Sequence, residues 1–374
     1  LFVAERGTVT KEVVYVLERQ GFIRPHMADE NDKRTIYMVD MHEPLMFLHN
    51  LDTTIKEPFA SNPAVLDAVE KNHKKLQIAM TKLYPGNLVL SLSSGIMYHR
   101  LVDRITALND VPREPLVPRR LGKNMCVPFG KILRGKVVPN TVTKTLHTDK
   151  VYEPDLNSFT IEPFPYYSPL KSQIETIKSF DRPVILVDDL VHTANRLQVL
   201  VPQLREDGIP IKKVVVGVLS GYGRDLMQCL KVPVESIYSM PNLRQWFVES
   251  TLYPFIGGDT VRREEMKVAG LQPSINMILP YATPRLSGCS REALVEFSAC
   301  CIENSRDLFQ VLEAEYRKMY AKNLTLSRLS EAVILPLCPD KGSCMEYDEN
   351  LAASVYLEND LETLWRMKEF LIKG

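Results

Sequence analysis

The chain has 374 residues, 45% of them hydrophobic and 25% charged, a composition typical of a folded protein that buries one large core or two smaller ones. The 46 Lys and Arg residues balance 46 Asp and Glu residues, so broad binding to nucleic acid or to a membrane surface is not expected. Any anion-binding site must therefore be local.

The cysteines and the absence of long apolar runs favour a cytoplasmic protein. The seven cysteines are scattered and odd in number, which favours reduced thiols over a disulfide framework. No apolar run reaches the roughly 18 residues of a membrane span, and the first residues do not resemble a signal peptide. The chain begins at Leu1 without an initiator Met, which leaves open a missing N-terminal domain.

In chain order, the residues up to Leu108 predict three helices and two strands. Asn62 and Pro63 are typical of a helix start, and apolar residues recur from there at helical spacing. The predicted elements are a helix after Thr10, a strand at Thr35–Val39, a helix from Asn62 to Gly86, and a strand at Leu88–Leu92 that passes through Ser93-Ser94-Gly95 into a helix at Ile96–Leu108.

Residues 109–167 are rich in proline and in basic residues. We interpret them as a partly β excursion and a candidate lid, although a solvated basic face is the alternative. The basic residues are Arg119, Arg120, Lys123, Lys131, Arg134, Lys136, Lys144 and Lys150.

Strands and helices alternate again after residue 167, which predicts an α/β fold with a doubly wound parallel sheet. Beyond about residue 260 the pattern becomes helical, and we expect this extension to pack on the sheet or on a second copy of the chain. The predicted elements are helices at Ser168–Ser179 and Ala194–Arg205, strands at Val184–Val187 and Val214–Leu219, and C-terminal helices at Ser290–Lys322, Leu326–Ile334 and Leu351–Leu371. The predicted units are residues 1–60, an N-terminal segment or linker, 61–260, the α/β domain, and 261–374, the helical region.

Two neighbouring acids follow the apolar run Val184–Val187, which is typical of a strand covered on both faces. Ligands bind at this carboxyl edge of open parallel sheets. The adjacent charges of Asp188 and Asp189 need a cation or ligand hydroxyls to compensate them. His192-Thr193-Ala194-Asn195-Arg196 then opens a helix, so backbone N–H groups and the Thr193 hydroxyl can surround a phosphate.

The block from Val184 to Arg196 resembles the motif with which type I phosphoribosyltransferases bind 5-phosphoribosyl 1-pyrophosphate (PRPP): four apolar residues, two acids, two apolar residues and a Thr-containing loop. The resemblance implies a sheet of phosphoribosyltransferase type. It also implies an enzyme that transfers the phosphoribosyl group of PRPP to an acceptor and releases pyrophosphate. Asp188 and Asp189 would then be the catalytic residues, holding the ribose hydroxyls directly or through Mg²⁺, and residues 192–196 would hold the 5-phosphate.

The resemblance assigns further residues in the ordered stretch from about Leu88 to Asp259. Ser93-Ser94-Gly95 is similar in position to the family's pyrophosphate loop, and the basic excursion to its closing lid. The implied partner is a small ribose phosphate, and a homo-oligomer is left open. The additional substrate-binding candidates are Lys131, Arg134 and Lys144 for the pyrophosphate and Trp246 for the acceptor.

The phosphate loop departs from the family pattern, because Ala194, Asn195 and Arg196 stand where glycines and a closing Thr or Ser are usual. A second hypothesis is therefore a non-catalytic module that senses a nucleotide or ribose phosphate. A third is a structural domain with an empty sheet edge.

Single residues also have structural alternatives. The acid pair can form an ion-pair site, His192 can be a hydrogen-bonded loop residue, and Trp246 can pack in a core or an interface. Gly221-x-Gly223 lacks the third glycine of a dinucleotide fingerprint and is interpreted as a turn.

Overall fold

A computed structural model describes residues 23–27, 35–39, 43–117, 120–133, 136–165, 167–263, 268, 270–284, 286, 288–341 and 346–373. The predicted helix after Thr10 lies outside them. The described strands are β1 (Ile23–Met27), β2 (Thr35–Val39), β3 (Leu45–His49), β4 (Val89–Ser93), β5 (Met125–Pro128), β6 (Val142–Thr143), β7 (Thr148–Tyr152), β8 (Phe159–Pro163), β9 (Val184–Val191), β10 (Ile211–Ser220), β11 (Val234–Met240), β12 (Gln245–Val248), β13 (Asp259–Val261), β14 (Gln272–Ile275) and β15 (Leu337–Pro339). The described helices are α1 (Pro63–Leu83), α2 (Ser94–Leu108), α3 (Leu170–Lys178), α4 (Asn195–Glu206), α5 (Gly221–Cys229), α6 (Glu249–Leu252), α7 (Arg291–Tyr320) and α8 (Ala353–Lys373), with 3-10 helices at Leu51–Thr53 and Leu326–Glu331.

Seven strands form the largest described sheet, in the order β1-β2-β11-β10-β9-β5-β6. Strand β1 is antiparallel to β2, and the other neighbouring pairs are parallel. This arrangement confirms the prediction of an α/β fold with a parallel sheet. The strand that precedes the acid pair, β9, lies in the interior of the sheet between β10 and β5.

Helices cover both faces of this sheet. In β9, Val184 and Leu186 belong to a core shared with α3 and α4, whereas Ile185 and Val187 belong to a second core shared with α2. Successive side chains of a strand point to opposite faces, so a strand covered on both sides must be apolar throughout. Residues 184–187 are therefore all apolar because both faces of β9 are buried.

The interpretation of residues 109–167 as a lid is wrong for several described segments. Strand β5 lies beside β9 in the central sheet, and the side chains of Met125, Cys126 and Val127 are fully buried. Strands β7 and β8 belong to a five-stranded sheet, in the order β15-β14-β13-β7-β8. Short apolar strands lie within this proline-rich, basic stretch. Lys150, predicted as a lid residue, lies over the ring of Tyr152, with 4.3 Å between Nζ and the ring centroid.

The predicted strand near residue 90 belongs to a different sheet from the one expected. Strand β4 forms a three-stranded sheet in the order β12-β3-β4, because its apolar residues pair with those of β3 rather than with the central sheet. The helix that follows β4 nevertheless packs on the central sheet, since Met97 and Leu101 of α2 share a core with β9 and β10.

The remaining core joins α1 to the C-terminal helices α7 and α8. Two predicted helix starts are confirmed: Asn62 accepts from the backbone N–H of Ala64 at 2.8 Å, and Ser290 accepts from that of Ala293 at 3.1 Å. The C-terminal region was expected to be helical, but it also contains the short strands β14 and β15, which complete the five-stranded sheet. Its predicted Leu326–Ile334 helix is a 3-10 helix that ends at Glu331.

Among the described residues, no helix has both the length and the apolar character needed to cross a bilayer.

Candidate functional site

The candidate site lies where strand β5 separates from β9. Strand β10 pairs with β9 as far as Val191, so β9 continues four residues beyond its predicted end at Val187. Strand β5 pairs with β9 only as far as Val187, and the next residue, Phe129, donates its N–H to the Val187 carbonyl at 3.0 Å. Asp188 is therefore the first residue of β9 without a β5 neighbour, which is where an open parallel sheet is expected to form a crevice.

The turn after β5 lies directly against the first acid. A Cβ atom added to Gly130 would come within 1.6 Å of Oδ1 of Asp188 and 2.4 Å of its Cγ. The turn is held in place by the Thr148 hydroxyl, which donates to the Phe129 carbonyl at 2.9 Å. Only a residue without a side chain fits at position 130, because any Cβ would overlap the carboxylate.

Asp188 is nearly completely buried, with 3% of its surface exposed. Its Oδ1 accepts a hydrogen bond from the backbone N–H of Asp189 at 2.8 Å. Burial raises the pKa of Asp188 well above its ordinary value, the charge of Asp189 raises it further, and Arg196 opposes the shift. The site therefore places two carboxyl groups where only partial compensation is provided by the protein itself.

Asp189 is half-buried and completes the acid pair. Its Oδ1 accepts from the N–H of Leu190 at 2.9 Å. Each carboxylate thus has one oxygen oriented by a backbone N–H and a second oxygen for other partners. Carboxylate oxygens are the ligands that Mg²⁺ prefers, commonly one or two together with substrate phosphates, so this donor set fits Mg²⁺.

The segment after β9 forms a loop that enters α4 with its first turn uncapped. Ala194 has a left-handed backbone with φ of 50°, and among the described residues no side chain caps the helix. The Asn195 side-chain amide instead donates to the Thr193 hydroxyl at 2.9 Å. The backbone N–H groups at the start of α4 therefore have no side-chain acceptor there, and the helix dipole favours an anion at this end.

Arg196 connects the loop with the acid pair. Its Nη1 lies 3.8 Å from Oδ2 of Asp188, and its side chain is 25% exposed. Its buried Nε has no hydrogen-bond partner among the described residues. The guanidinium thus has donor capacity that an oxyanion bound at the start of α4 can use.

His192 is held at the edge of the crevice. Its Nδ1 lies 2.8 Å from the Ser220 hydroxyl, which also accepts from the N–H of Gly223 at 3.0 Å. The ring packs edge-on against Tyr222, with 5.8 Å between centroids. Partial burial lowers the pKa of His192. Gly221 and Gly223 begin helix α5, so the expected turn is a helix start capped by Ser220.

The other predicted substrate-binding residues lie in different parts of the structure. Lys131 follows Gly130 directly and is exposed, and Lys144 is exposed just after β6. Arg134 lies outside the described residues. Trp246 lies in β12 of the three-stranded sheet and packs against the core of the α2 face, as its structural alternative anticipated.

Ser93-Ser94-Gly95 does not form the expected loop. Ser93 ends β4 and Ser94 begins α2 without an intervening turn. Ser94 is 5% exposed, and its Oγ has no hydrogen-bond partner among the described residues. The turn that follows a strand adjacent to β9 is instead Phe129-Gly130-Lys131, which the sequence reasoning missed. The apolar run Met125–Phe129 followed by Gly-Lys was the available signal.

No protein-family model and no curated protein sequence matches the chain. Among solved structures, the chain is similar to a purine phosphoribosyltransferase from Pyrococcus horikoshii Ot3, with 11% sequence identity and a TM-score of 0.24. The matched region covers 41% of this chain and 86% of that one.

Proposed function

We propose that the crevice between β5 and β9 binds PRPP or a closely related ribose phosphate together with Mg²⁺, and that the protein transfers the phosphoribosyl group to an acceptor. The Gly130 backbone against the Asp188 carboxylate is the observation that carries the proposal. This contact brings a glycine turn, two carboxylates and a helix start together at one sheet edge. A ligand that carries a phosphate, hydroxyls and a pyrophosphate requires such a combination.

Each part of this ligand has a chemical counterpart in the crevice. The 5-phosphate accepts hydrogen bonds from the first N–H groups of α4 and from the Thr193 hydroxyl, with Arg196 as a further donor. The ribose 2- and 3-hydroxyls donate to the carboxylates of Asp188 and Asp189. The pyrophosphate lies beside the Gly130 turn, and Lys131 and Lys144 are the cations assigned to it.

The proposed reaction exchanges one bond at the anomeric carbon. The bond from this carbon to the pyrophosphate oxygen breaks, and its electron pair leaves with the pyrophosphate. A lone pair of the acceptor forms the new bond, and the proton that the acceptor loses passes to the departing pyrophosphate or to water. Asp188 and Asp189 would hold Mg²⁺, which would neutralise part of the charge on the leaving group when bound. The carboxylates orient the ribose, and donors fixed before the reaction stabilise developing charge without reorganisation.

A second candidate function is suggested by the loop residues themselves. Arg196 lies 3.8 Å from Asp188, which is where a cation or a ribose hydroxyl would otherwise approach. A site in which an arginine of the protein already compensates part of the negative charge of the acid pair suits a module that binds a nucleotide or ribose phosphate without transferring it. The two functions share the ligand and differ in whether pyrophosphate is released.

Isothermal titration of the full chain with PRPP and Mg²⁺ tests the proposal. Asp189→Asn is the main variant, because this half-buried residue can lose its charge without emptying the core, and Asp188→Asn is the second. Exposed Asp225 on α5, changed to Asn, is the matched control. We expect Mg²⁺-dependent binding that Asp189→Asn weakens about 10-fold or more, as for a hydrogen bond to a charged group. Asp225→Asn should leave it unchanged.

Pyrophosphate release is then measured over a panel of bases and amines. Release that depends on Asp189 supports transfer. Binding without release from any acceptor favours the sensing module, and a protein that does not bind PRPP, ribose 5-phosphate or a nucleotide contradicts both functions.

A further inference from the structure

Two imidazoles and one carboxylate converge at a place distant in sequence from the acid pair. His49 ends β3, His73 lies on α1 and Glu249 begins α6. Both Nδ1 of His49, at 3.1 Å, and Nε2 of His73, at 2.7 Å, face the same Oε2 atom of Glu249. The three atoms lie within 4.8 Å of one another, and the Glu249 side chain is completely buried.

A hydrogen bond accounts for the contact of His49 Nδ1 with Glu249, at 3.1 Å, but not for the contact of His73. The Nε2 atom of His73 is buried and makes no hydrogen bond of acceptable angle among the described residues, although the Glu249 oxygen is only 2.7 Å away. A hydrogen bond requires a suitable angle at the hydrogen as well as a short distance. Because the angle is not met, a hydrogen bond does not explain why His73 Nε2 lies so close to Glu249. A cation between the three atoms provides an explanation, because each nitrogen lone pair and the carboxylate oxygen then face the ion.

Further polar side chains hold the His49 ring and the Glu249 carboxylate in place. On the far side of His49, Nε2 contacts the Ser91 hydroxyl, which also accepts from the Gln77 amide at 3.0 Å. The Gln77 amide also lies 3.3 Å from His49 Nε2, and when that nitrogen accepts from it, Nδ1–H donates to Glu249. In the other tautomer, Nε2–H donates to Ser91 and the Nδ1 lone pair faces Glu249, which is the form that binds a cation. The other Glu249 oxygen accepts from the Tyr253 hydroxyl at 3.2 Å. Hydrogen bonds of this kind fix ligand orientation and tautomer at protein metal sites.

We propose that His49, His73 and Glu249 bind a divalent transition-metal ion, best matched by Zn²⁺, with a coordination position left open for water or an oxygen ligand. Two imidazoles and one carboxylate form a ligand set that Zn²⁺ uses when a fourth position is occupied by water. Tetrahedral Zn²⁺ bonds of about 2.0–2.1 Å place neighbouring ligand atoms about 3.3 Å apart. The His49–Glu249 separation of 3.1 Å approaches this value, and the His73–Glu249 separation of 2.7 Å must lengthen when the ion binds.

The proposed metal site is independent of the ribose-phosphate site. Its ligands come from β3, α1 and α6, and it shares no residue with the crevice at Asp188. The ligand chemistry also differs, since imidazole nitrogens suit Zn²⁺, whereas two carboxylates suit Mg²⁺. Either proposal can therefore fail without the other.

The test is metal binding by the full chain after treatment with a chelator and dialysis. Zn²⁺ is titrated by calorimetry, Co²⁺ is titrated by its visible absorption, and Mg²⁺ is the comparison ion. His73→Gln is the main variant, because this side chain is partly exposed. The matched control is His99→Gln, which changes an exposed histidine on α2 that contacts Arg113. Circular dichroism establishes that each variant is folded.

We expect one Zn²⁺ bound at these residues, Co²⁺ absorption bands, and no comparable binding of Mg²⁺. His73→Gln should lose more than the roughly 10- to 100-fold in affinity that removal of an outer hydrogen-bond partner causes, and His99→Gln should lose nothing. Ser91→Ala should weaken binding about 10-fold, which keeps a test available if His73→Gln does not fold. The proposal is overturned if the unchanged protein binds neither ion, or if the Ser91 and His73 variants bind as tightly as the His99 variant.

Discussion

Gly130, in the turn after β5, and Asp188, in the neighbouring strand β9, are 58 positions apart in the chain, and the Gly130 backbone contacts the Asp188 side chain. A Cβ at residue 130 would lie 1.6 Å from the Asp188 Oδ1 atom, far inside the contact distance of two atoms. The carboxylate and the turn therefore fix each other's position.

The variant Gly130→Ala should destabilise the protein and disrupt the crevice. The added methyl group must displace either the β5 turn or the Asp188 side chain, and overpacking of this kind costs about 1–3 kcal/mol. Denaturant unfolding measures the cost, and titration with PRPP and Mg²⁺ measures the accompanying loss of binding. A Gly130→Ala protein with unchanged stability and unchanged ligand affinity would show that the turn does not contact Asp188.

The variant Gly95→Ala compares this turn with the segment that the sequence favoured for pyrophosphate. A Cβ at Gly95 would meet only the Ser93 hydroxyl oxygen, at 3.6 Å, which is an ordinary contact. Because Gly95 lies in the first turn of α2, alanine should be accommodated there without loss of stability. If Gly95→Ala abolishes PRPP binding and Gly130→Ala retains it, residues 93–95 bind the pyrophosphate and the Gly130 turn does not.

The imidazole of His192 should titrate below the usual range for histidine. Partial burial disfavours its charged form and lowers its pKa. Because the unfolded chain binds this proton more readily, stabilisation from neutral His192 is complete above about pH 6.5 and is lost as the pH falls below that value. NMR titration of the ring C–H signals, assigned with His192→Gln, measures the pKa, and a value at or above about 6.5 contradicts the burial of this ring.

Thiol reactivity should distinguish buried from exposed cysteines. Cys229 at the end of α5 is exposed, whereas Cys126 in β5 is fully buried. Burial raises the pKa of the Cys126 thiol and raises that of Cys300 to about 12, so neither forms the reactive thiolate near neutral pH. In native protein, iodoacetamide followed by peptide mass spectrometry should find Cys229 modified first and Cys126 only after unfolding. Equal native rates at both positions would exclude β5 from the interior of the sheet.

Regular periodicity made the helices and long strands predictable. The helix Arg291–Tyr320 has a capping Ser290 and apolar residues at helical spacing, and its predicted bounds differ from the observed ones by one or two residues. Strand β5 was missed because it is only four residues long and lies among prolines and basic residues, where a pattern of period two is too short to recognise. Its position was set by pairing with β9, which is a tertiary effect.

The acid pair could be located from sequence because all of its signals are contiguous. Residues 184–196 contain the strand, the two acids and the helix start in one segment. Gly130 could not be assigned to the same site, because its role depends on a contact with Asp188 across two strands. His49 and Glu249 are 200 positions apart, so no spacing rule could bring them together.

Lys341 and Asp360 form a buried ion pair that connects the segment after β15 with helix α8. The side chains are 14% and 4% exposed. The Tyr281 hydroxyl also donates to the Asp360 carboxylate, at 2.5 Å. Burial lowers the pKa of Lys341, and Asp360 opposes that shift. Asp360→Asn should therefore destabilise the protein by roughly 3 kcal/mol, because it leaves a buried ammonium group without its counter-charge.

Lys341→Met should also destabilise the protein, because it leaves the Asp360 carboxylate buried with Tyr281 as a hydrogen-bond donor. The double variant removes both charges, so its loss of stability should be smaller than the sum of the two single losses by about 1–3 kcal/mol. Urea unfolding of the four proteins measures this difference. Strictly additive losses would mean that the ammonium and the carboxylate do not interact in the folded protein, and that each is solvated separately at the surface of α8.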